Sequence, residues 1–476
     1  MNKRVENTPA MIDTFALQRA QSRVMPLVPW KIRQDRLVRL RRLILDNRVA
    51  LATAISQDFG QRSRHETELL EINHVLDGIG HSLRHGARWM RNRSRSPGIK
   101  FWPGKALLMP QPLGVVGIVV PWNYPLDLSL GPANSALVAG NRCMIKLSEL
   151  TPHFGELLAI LVPQNFAEDE LAVVNGDADV SREFCALPFD HLLFTGSTAV
   201  GHHVMRAASD NLTPVTLELG GKSPAIFGPT PVPPAEFDTL VRRVMMGKLF
   251  NAGQTCIAPD HAFVPRDLVP QFIDAARRAV ARSYPSLGTT ADYTSIISER
   301  HFARLQHLVD DACARGATAW PLTDVKNDAQ RRLFAPVLLT DVADDSAVLG
   351  EEIFGPVLPI VAYDDLEQAI AAVNARPRPL ALYIFERDPG LIDQVLAQTV
   401  SGGVTVNDTF LHVGTDSLPF GGVGASGMGA YHGEAGFSTF SHYKPVFRQG
   451  AFSFFPWLYP PFGRRAERIL RMPRRQ

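Results

Sequence analysis

Apolar positions first repeat at helical spacing along the chain. From Gly114 they gather instead into short continuous runs. Between about Phe15 and Trp102 the pattern reads as helical: Ile32, Leu37, Leu40, Leu43, Ile44 and Leu45 fall near one face among many arginines. Ser63-Arg64-His65-Glu66 has the form of a capping box and predicts the start of a helix carrying Leu69, Leu70, Ile72, Val75, Leu76 and Ile79. Pro97-Gly98 ends this region. Lys100 to Pro112 predicts a short hairpin turned at Pro103-Gly104. The later apolar runs are Val115–Val120, Cys143–Leu147, Leu171–Val174, His191–Phe194 and Val215–Leu219. The segments between them are long enough for crossover helices, so they predict βαβ units on a parallel sheet buried on both faces. A second series predicts a second α/β domain. Its strands are Ala262–Val264, Pro336–Leu339, Val357–Ala362, Leu380–Phe385 and Gly403–Val406, with helices such as Leu366–Ala375 between them.

Two stretches carry candidate chemistry. In Val215–Leu219 a strand turns Glu218 away from the face of Val215, Leu217 and Leu219. The segment Ala235–Phe250 has helical spacing and delivers the chain to Gly253, and Cys256 follows, where a sulfur can face a cavity. A thiolate attacks carbonyl carbon, and a nearby carboxylate can take a proton from water. The plainer alternative is that a lone cysteine is a small buried hydrophobe and a lone glutamate is solvated. Cys143, Cys185 and Cys313, without glycine turns around them, are read in that plainer way.

His191–Gly201 reads as an apolar strand, a Gly-Ser turn and a helix start, and a helix N-terminus suits a pyrophosphate. Lys146-Leu147-Ser148-Glu149 follows another strand. It sets a cation and a carboxylate at the sheet edge where open α/β folds bind ligands. Glycine junctions of this kind are common, but the two together favour a dinucleotide.

Composition narrows the classes. A chain of 476 residues exceeds one ordinary domain. A net charge of +2 offers no positive field for nucleic acid. Arg84, Arg88, Arg91, Arg93 and Arg95 read first as a solvated helix face and second as a subunit contact. Four cysteines in so long a chain are no disulfide framework, which points to a reducing, cytoplasmic setting. Met1–Phe15 lacks the apolar stretch of a secretion signal, and no run reaches the roughly 18 apolar residues of a membrane span. Ala451–Phe462 is dense in aromatics, and Arg464, Arg465, Arg468, Arg471, Arg474 and Arg475 follow. Contact with an anionic membrane surface is one reading of this tail. Packing over a subunit or the substrate entrance is the favoured one. No metal centre is expected.

Seven blocks then carry a resemblance. They are Pro121-Trp122-Asn123-Tyr124-Pro125, Lys146–Glu149, Phe194–Gly201, Leu217–Pro224, Gly253–Cys256, Glu351–Pro356 and Pro419–Gly424. In these the chain resembles the NAD(P)-dependent aldehyde dehydrogenases over nearly its full length. Gln254–Asp260 and Ser401–Asp408 are similar to the class 3 group, and Phe189–Thr216 with Gly421–Gly433 to its bacterial members acting on coniferyl aldehyde. The resemblance implies two open, twisted, mainly parallel α/β domains: a Rossmann-like cofactor domain from 1–99 and 114–222, and a catalytic domain from 223–417. A small β oligomerisation element, 100–113 with 430–448, would complete a partner's sheet in a homodimer, and 449–476 would form a C-terminal tail.

The resemblance also implies roles. Cys256 is the expected nucleophile, forming a thiohemiacetal and then a thioester. The Asn123 side-chain amide and the Cys256 backbone amide would hold the oxyanion. Glu218 would activate the hydrolytic water. Cofactor contacts are implied at Lys146 and Glu149 near the adenosine ribose and at Gly196, Ser197 and Gly201 in the pyrophosphate turn. They are implied also at Glu352 on the nicotinamide ribose, at Phe354 beside the ring, and at Trp122, Thr195 and Thr198. Leu147 stands where the family usually has proline, and Asn175 where threonine is usual. Glu149 favours NAD, because a carboxylate accepts from a 2′-hydroxyl and repels a 2′-phosphate; NADP stays open. The substrate implied is an aldehyde, aromatic such as coniferaldehyde or medium-chain aliphatic. Two other readings stand beside this one. In a CoA-acylating dehydrogenase CoA would replace water, and Glu218 argues against that. A catalytically silent binding protein on the same fold is opposed by intact Cys256, Glu218 and Asn123.

Overall fold

The structure, a computed structural model, describes residues 3–98, 101–453, 456 and 459–471. Helices Lys3–Val24, Trp30–Asp46 and Arg48–Phe59 open it. The first begins well before Phe15, because it has something to pack on: Met11 and Phe15 are buried beside Phe184 and Phe189. From the same helix Gln18 donates to the carbonyls of Cys143 (3.1 Å) and Glu168 (2.9 Å). Leu37, Leu40, Leu43 and Ile44 of the second helix are fully buried, each contributing roughly 1.5–3 kcal/mol. Ser63 caps the next helical turn by accepting from the Glu66 amide at 3.3 Å. Glu66 does not reciprocate; its carboxyl turns inward. A π-turn, Glu68–Ile72, then joins Arg64–Thr67 to the helix Asn73–Trp89 and leaves Glu71 fully buried.

The helical reading fails after Trp89. Arg93–Arg95 is a strand, β1, and it pairs antiparallel with β2, Lys105–Pro112. The turn before β2 exists, with the Gly104 amide donating to the Phe101 carbonyl at 2.8 Å. The hairpin expected within 100–112 does not form, and Lys100 itself lies outside the described residues. Strand donors and acceptors need partners, and β2 finds them in β1 and in a strand near the C-terminus.

Next come β3 (Val115–Val119), β4 (Arg142–Lys146), β5 (Leu171–Val174), β6 (His191–Gly196) and β7 (Val215–Leu219). They form a parallel sheet in the order β7-β6-β3-β4-β5. The order reverses at β3, so a crevice opens at the carboxyl ends of β3 and β6. The second sheet holds β8 (Pro224–Phe227), β9 (His261–Pro265), β10 (Thr318–Pro321), β11 (Val337–Thr340), β12 (Val357–Tyr363), β13 (Ala381–Phe385) and β14 (Gly403–Val406). Its order is β10-β11-β12-β9-β8-β13-β14, parallel except for β10. β8 and β10 had no counterpart in the apolar pattern. β8 is only four residues long, and β10 is an edge strand exposed at both ends.

The glycine-rich segment then returns. β15 (Gly427–Met428) lies antiparallel on β7 with Gly427 opposite Glu218. A side chain at Gly427 would collide with the Leu217 carbonyl. Within the expected element 430–448, Gly433–Thr439 is a helix, and strand β16 follows at Ser441–Arg448, paired with β2 along eight residues. In the tail, Arg464–Leu470 is helical, while Phe452, Tyr459 and Phe462 are exposed. Phe454, Phe455, Trp457, Leu458, Arg474 and Arg475 lie outside the described residues. Among the described residues no helix is long and apolar enough to cross a membrane.

Candidate active site

The loop that carries Cys256 is bent by force. Helix Pro234–Leu249 ends at Phe250, and Asn251 (φ 52°), Ala252 (φ 51°) and Gly253 (φ 76°) are all left-handed. Only glycine enters that region freely; the other two cost about 1–2 kcal/mol each. A side chain at Gly253 would collide with the Gly355 carbonyl. A buried polar frame holds the bend. The Asn251 amide donates to Glu66 at 2.8 Å, and its side chain donates to the Asn123 carbonyl at 3.0 Å and the Gln254 carbonyl at 3.2 Å. Gln254 donates to the carbonyls of Asn251 (2.9 Å) and Ser295 (3.1 Å) and accepts from the Ile297 amide at 2.9 Å.

Arg62 ties this frame to the loop after β3. Its guanidinium donates to the Asn123 carbonyl at 2.8 Å, pairs with Glu71 at 3.1 Å, and lies over the rings of Phe59 (4.9 Å) and Tyr124 (4.7 Å). Glu71 also accepts from the amides of Leu126 (2.8 Å) and Asp127 (3.2 Å), and the Tyr124 hydroxyl bonds Thr255 at 2.8 Å. Burial draws the Glu71 carboxyl up; Arg62 and the two amides draw it down. Sequence reasoning missed Arg62, Glu66 and Glu71. The available signals were an acid inside the apolar run Leu69–Ile72 and the unreturned capping glutamate.

On this frame the expected chemical groups meet. Cys256 is partly exposed and faces a cavity of about 240 Å³. Burial, followed by the nearby Glu352 and Glu218 carboxylates, pushes its thiol up. The Asn123 amide is buried and donates to the Gln254 carbonyl at 3.1 Å, two residues before the sulfur. Glu218 is buried, and neither carboxyl oxygen has a hydrogen-bond partner among the described residues. Burial alone holds its proton well above the ordinary carboxylate range. Cys143 and Cys185 are buried and Cys313 is exposed, away from the cavity lining.

The residues expected to hold a dinucleotide lie around the carboxyl ends of β3, β4 and β6 and the segment of Glu352. Trp122 packs edge-on to Phe354 at 5.4 Å and beside His301 at 5.1 Å. Phe354 is left-handed at φ 52°. Ser197 caps the helix Thr198–Ser209 and leaves its positive end open beside Gly196. The Thr195 hydroxyl is buried without a partner among the described residues. Glu149 is exposed at the edge, while Lys146 is buried and donates to the carbonyls of Leu147 (2.6 Å) and Gly176 (2.8 Å). Thr198 donates to the Ala425 carbonyl at 3.2 Å. Gly201 is buried, and a Cβ there would sit 2.7 Å from Leu219, so it provides close packing of helix on strand. Glu352 accepts from the Gly221 amide at 3.2 Å, and a side chain at Gly220 would collide with its carboxyl. Burial and the Asp260 charge push Glu352 up to about 7.

The strand-ending segment of Glu352 is itself anchored. Lys222 pairs with Asp260 and donates to the carbonyls of Val348 (2.9 Å) and Glu351 (2.7 Å). Asp260 accepts from the Ile353 amide at 2.9 Å. Burial opposes ionisation of Asp260, and Lys222 overcomes it, holding the carboxyl well below its usual range. Arg304 donates to the Glu352 carbonyl at 3.1 Å. An unpaired buried hydroxyl, a free helix end and a carboxylate cradle cut into glycine fit the phosphates and ribose of a dinucleotide.

Known proteins resemble this chain in sequence and fold. Residues 8–446 match the model of the aldehyde dehydrogenase family. A probable coniferyl aldehyde dehydrogenase of Pseudomonas aeruginosa is 49% identical over 456 residues, 96% of this chain and 94% of its own. The substrate-bound structure of Staphylococcus aureus AldH superposes with a TM-score of 0.91 at 33% identity, covering 97% of this chain and 98% of its own. A Mycobacterium tuberculosis aldehyde dehydrogenase complexed with NAD+ gives 0.80 at 26% identity, covering 93% and 91%.

Two outcomes follow from the electrostatics. Glu71→Gln leaves the Arg62 cation buried without its counter-ion, which is expected to cost about 3–5 kcal/mol, read as a lower denaturant midpoint. Acids with raised pKa stay protonated at neutral pH and ionise as pH climbs. Turnover is therefore expected to rise with pH, because both the Cys256 thiol and the Glu218 carboxyl must lose a proton to act. A flat kcat/KM profile in the unaltered enzyme would contradict this.

Proposed function

The chain belongs to the aldehyde dehydrogenase family and carries out NAD(P)-dependent oxidation of aldehydes, and on that premise we propose how its residues divide the work and which aldehyde they suit. Cys256 attacks the aldehyde carbon, and the thiohemiacetal oxyanion is held by the Asn123 side-chain amide and the Cys256 backbone amide. The bound cofactor supplies the two-electron acceptor for the hydride. What remains on Cys256 is a thioester. Glu218 takes a proton from water, the water adds to the thioester carbon, and the sulfur leaves as the acid departs. Residues 1–99 with 114–222 serve the dinucleotide, and 223–417 carry the reactive thiol. Glu149 favours NAD over NADP.

The observation that carries this reading is a thiol at an apolar cavity, within electrostatic reach of an unpaired, buried glutamate. A solvated carboxylate would have its oxygens in water; this one is held dry and unspent, as a base for one water molecule requires. The lining supports an aryl aldehyde as substrate, with coniferaldehyde as the type. Leu70, Leu128, Ile257, Phe410, Val413 and Phe420 make it apolar and partly aromatic, and the Pseudomonas aeruginosa relative bears the coniferyl name. The enzyme works on a free aldehyde in the cytoplasm, as a homodimer in which the outer edge of β16 meets a second copy.

Steady-state cofactor reduction with coniferaldehyde, benzaldehyde and hexanal tests these assignments together. Both aryl aldehydes are expected to exceed hexanal in kcat/KM. Cys256→Ala is expected to abolish turnover with all three; retained wild-type turnover would sink the nucleophile assignment. Glu218→Gln is expected to give one burst of reduction and an accumulated acyl adduct on the Cys256 peptide by mass spectrometry. Rapid steady turnover in that variant would remove its role as base. In light scattering the protein is expected at twice the 52.4 kDa of one chain, and a species of single mass would exclude the dimer.

A further inference from the structure

The cavity in front of Cys256 is apolar except on one side, where His74, Asp127 and His432 line it. Two of these three satisfy each other. His74 Nδ1 bonds Asp127 at 2.9 Å, and the Val413 backbone takes its other bond. The Asp127 carboxylate beside it holds this imidazole protonated, with its pKa up to about 9. The pair is a closed, nearly neutral unit.

His432 is left over. It is a non-glycine residue at φ 83°, a conformation that carries strain and is retained only where its surroundings enforce it. Its ring is clamped by aromatic neighbours: stacked on Phe420 at 5.5 Å and 25°, edge-on to Tyr431 at 4.5 Å and to His74 at 5.4 Å. Nδ1 is buried and has no hydrogen-bond partner among the described residues. Buried polar atoms in folded proteins are nearly always paired. Burial, and then the His74 cation, push the ring down to about 3, so it is a neutral imidazole at working pH.

We propose that His432 is a specificity-determining residue whose imidazole, on the wall of the cavity, binds a phenolic hydroxyl on the ring of an aryl aldehyde substrate. This rests on the aryl-aldehyde reading above and deepens it. A neutral hydroxyl fits because it can donate to, or accept from, a neutral imidazole nitrogen. The flat aromatic clamp suits an aryl ring adjoining the hydrogen bond. A site built around a hydroxyl rejects the analogue lacking it, because the buried nitrogen is then left unpaired.

The test uses the full-length enzyme with 4-hydroxycinnamaldehyde, 4-methoxycinnamaldehyde, cinnamaldehyde and hexanal, at a pH where the phenol is neutral. In the wild type the hydroxy-to-plain ratio of kcat/KM is expected to be about 10 to about 100, with the methoxy compound no better than the plain one. In His432→Phe the ratio is expected to fall to near one. His432→Asn, which tolerates a left-handed backbone and keeps hydrogen-bonding capacity, is expected to retain part of it. A wild-type ratio near one, or an undiminished ratio in His432→Phe, overturns the His432 assignment while leaving the aryl-aldehyde reading intact. Hexanal exceeding every aryl aldehyde in the wild type overturns that reading as well. Should His432→Phe fail to fold by circular dichroism, His432→Asn supplies the variant ratio, and an undiminished ratio there overturns the assignment as well.

Discussion

A guanidinium sealed from water cannot be left alone, and the placement of Arg62 organises the centre of this protein. It reaches Asn123 on the first sheet's loop, Glu71 on the π-turn, and the faces of Phe59 and Tyr124. Removing Glu71 from this set leaves a buried charge without its ion-pair partner. Glu66, four residues on, extends the same frame to the backbone of Asn251. The helices at the start of the chain thus set the relative position of two loops, one 61 and the other 185 residues away in sequence. The strained left-handed run before Cys256 is tolerable because this frame over-determines it.

The frame also determines the resting electrostatics. Cys256, Glu218 and Glu352 are three acidic groups brought close together, and burial raises all three. Among the described residues no cation offsets the two carboxylates at the sulfur; Lys222 is spent on Asp260 and on backbone carbonyls. The protein alone therefore keeps its reactive groups protonated. The oxidised nicotinamide of the family's cofactor would bring a positive charge to this site and favour deprotonation. A thiol held neutral until then is protected from reaction out of turn.

The return of the glycine-rich segment completes the site from the far end of the chain. With Gly427 opposite Glu218 and the Leu219 amide donating to Ser426 at 3.0 Å, β15 closes the edge of β7 and shields the glutamate. The same return carries Phe420, Tyr431 and His432 into the cavity wall. Substrate lining thereby comes from residues 69–74, 124–128, 255–257 and 410–432, four stretches with no common pattern.

Much of the architecture was legible in the chain. Strands buried on both faces must be continuous apolar runs, so β3 to β7 and most of β9 to β14 announce themselves. Glu218 within an alternating strand and Cys256 beyond a glycine turn stand out because each interrupts a local pattern. Where pairing partners are distant, local pattern is silent. Arg93–Arg95 is a strand because β2 lies beside it, and β2 is not a hairpin because β16, some three hundred residues on, takes its free edge. The polar frame of Arg62, Glu66 and Glu71 and the free nitrogen of His432 belong to the tertiary structure alone. A polar side chain's meaning depends on whether its hydrogen-bonding atoms end in water, in a partner or in neither, and only packing from remote segments decides which.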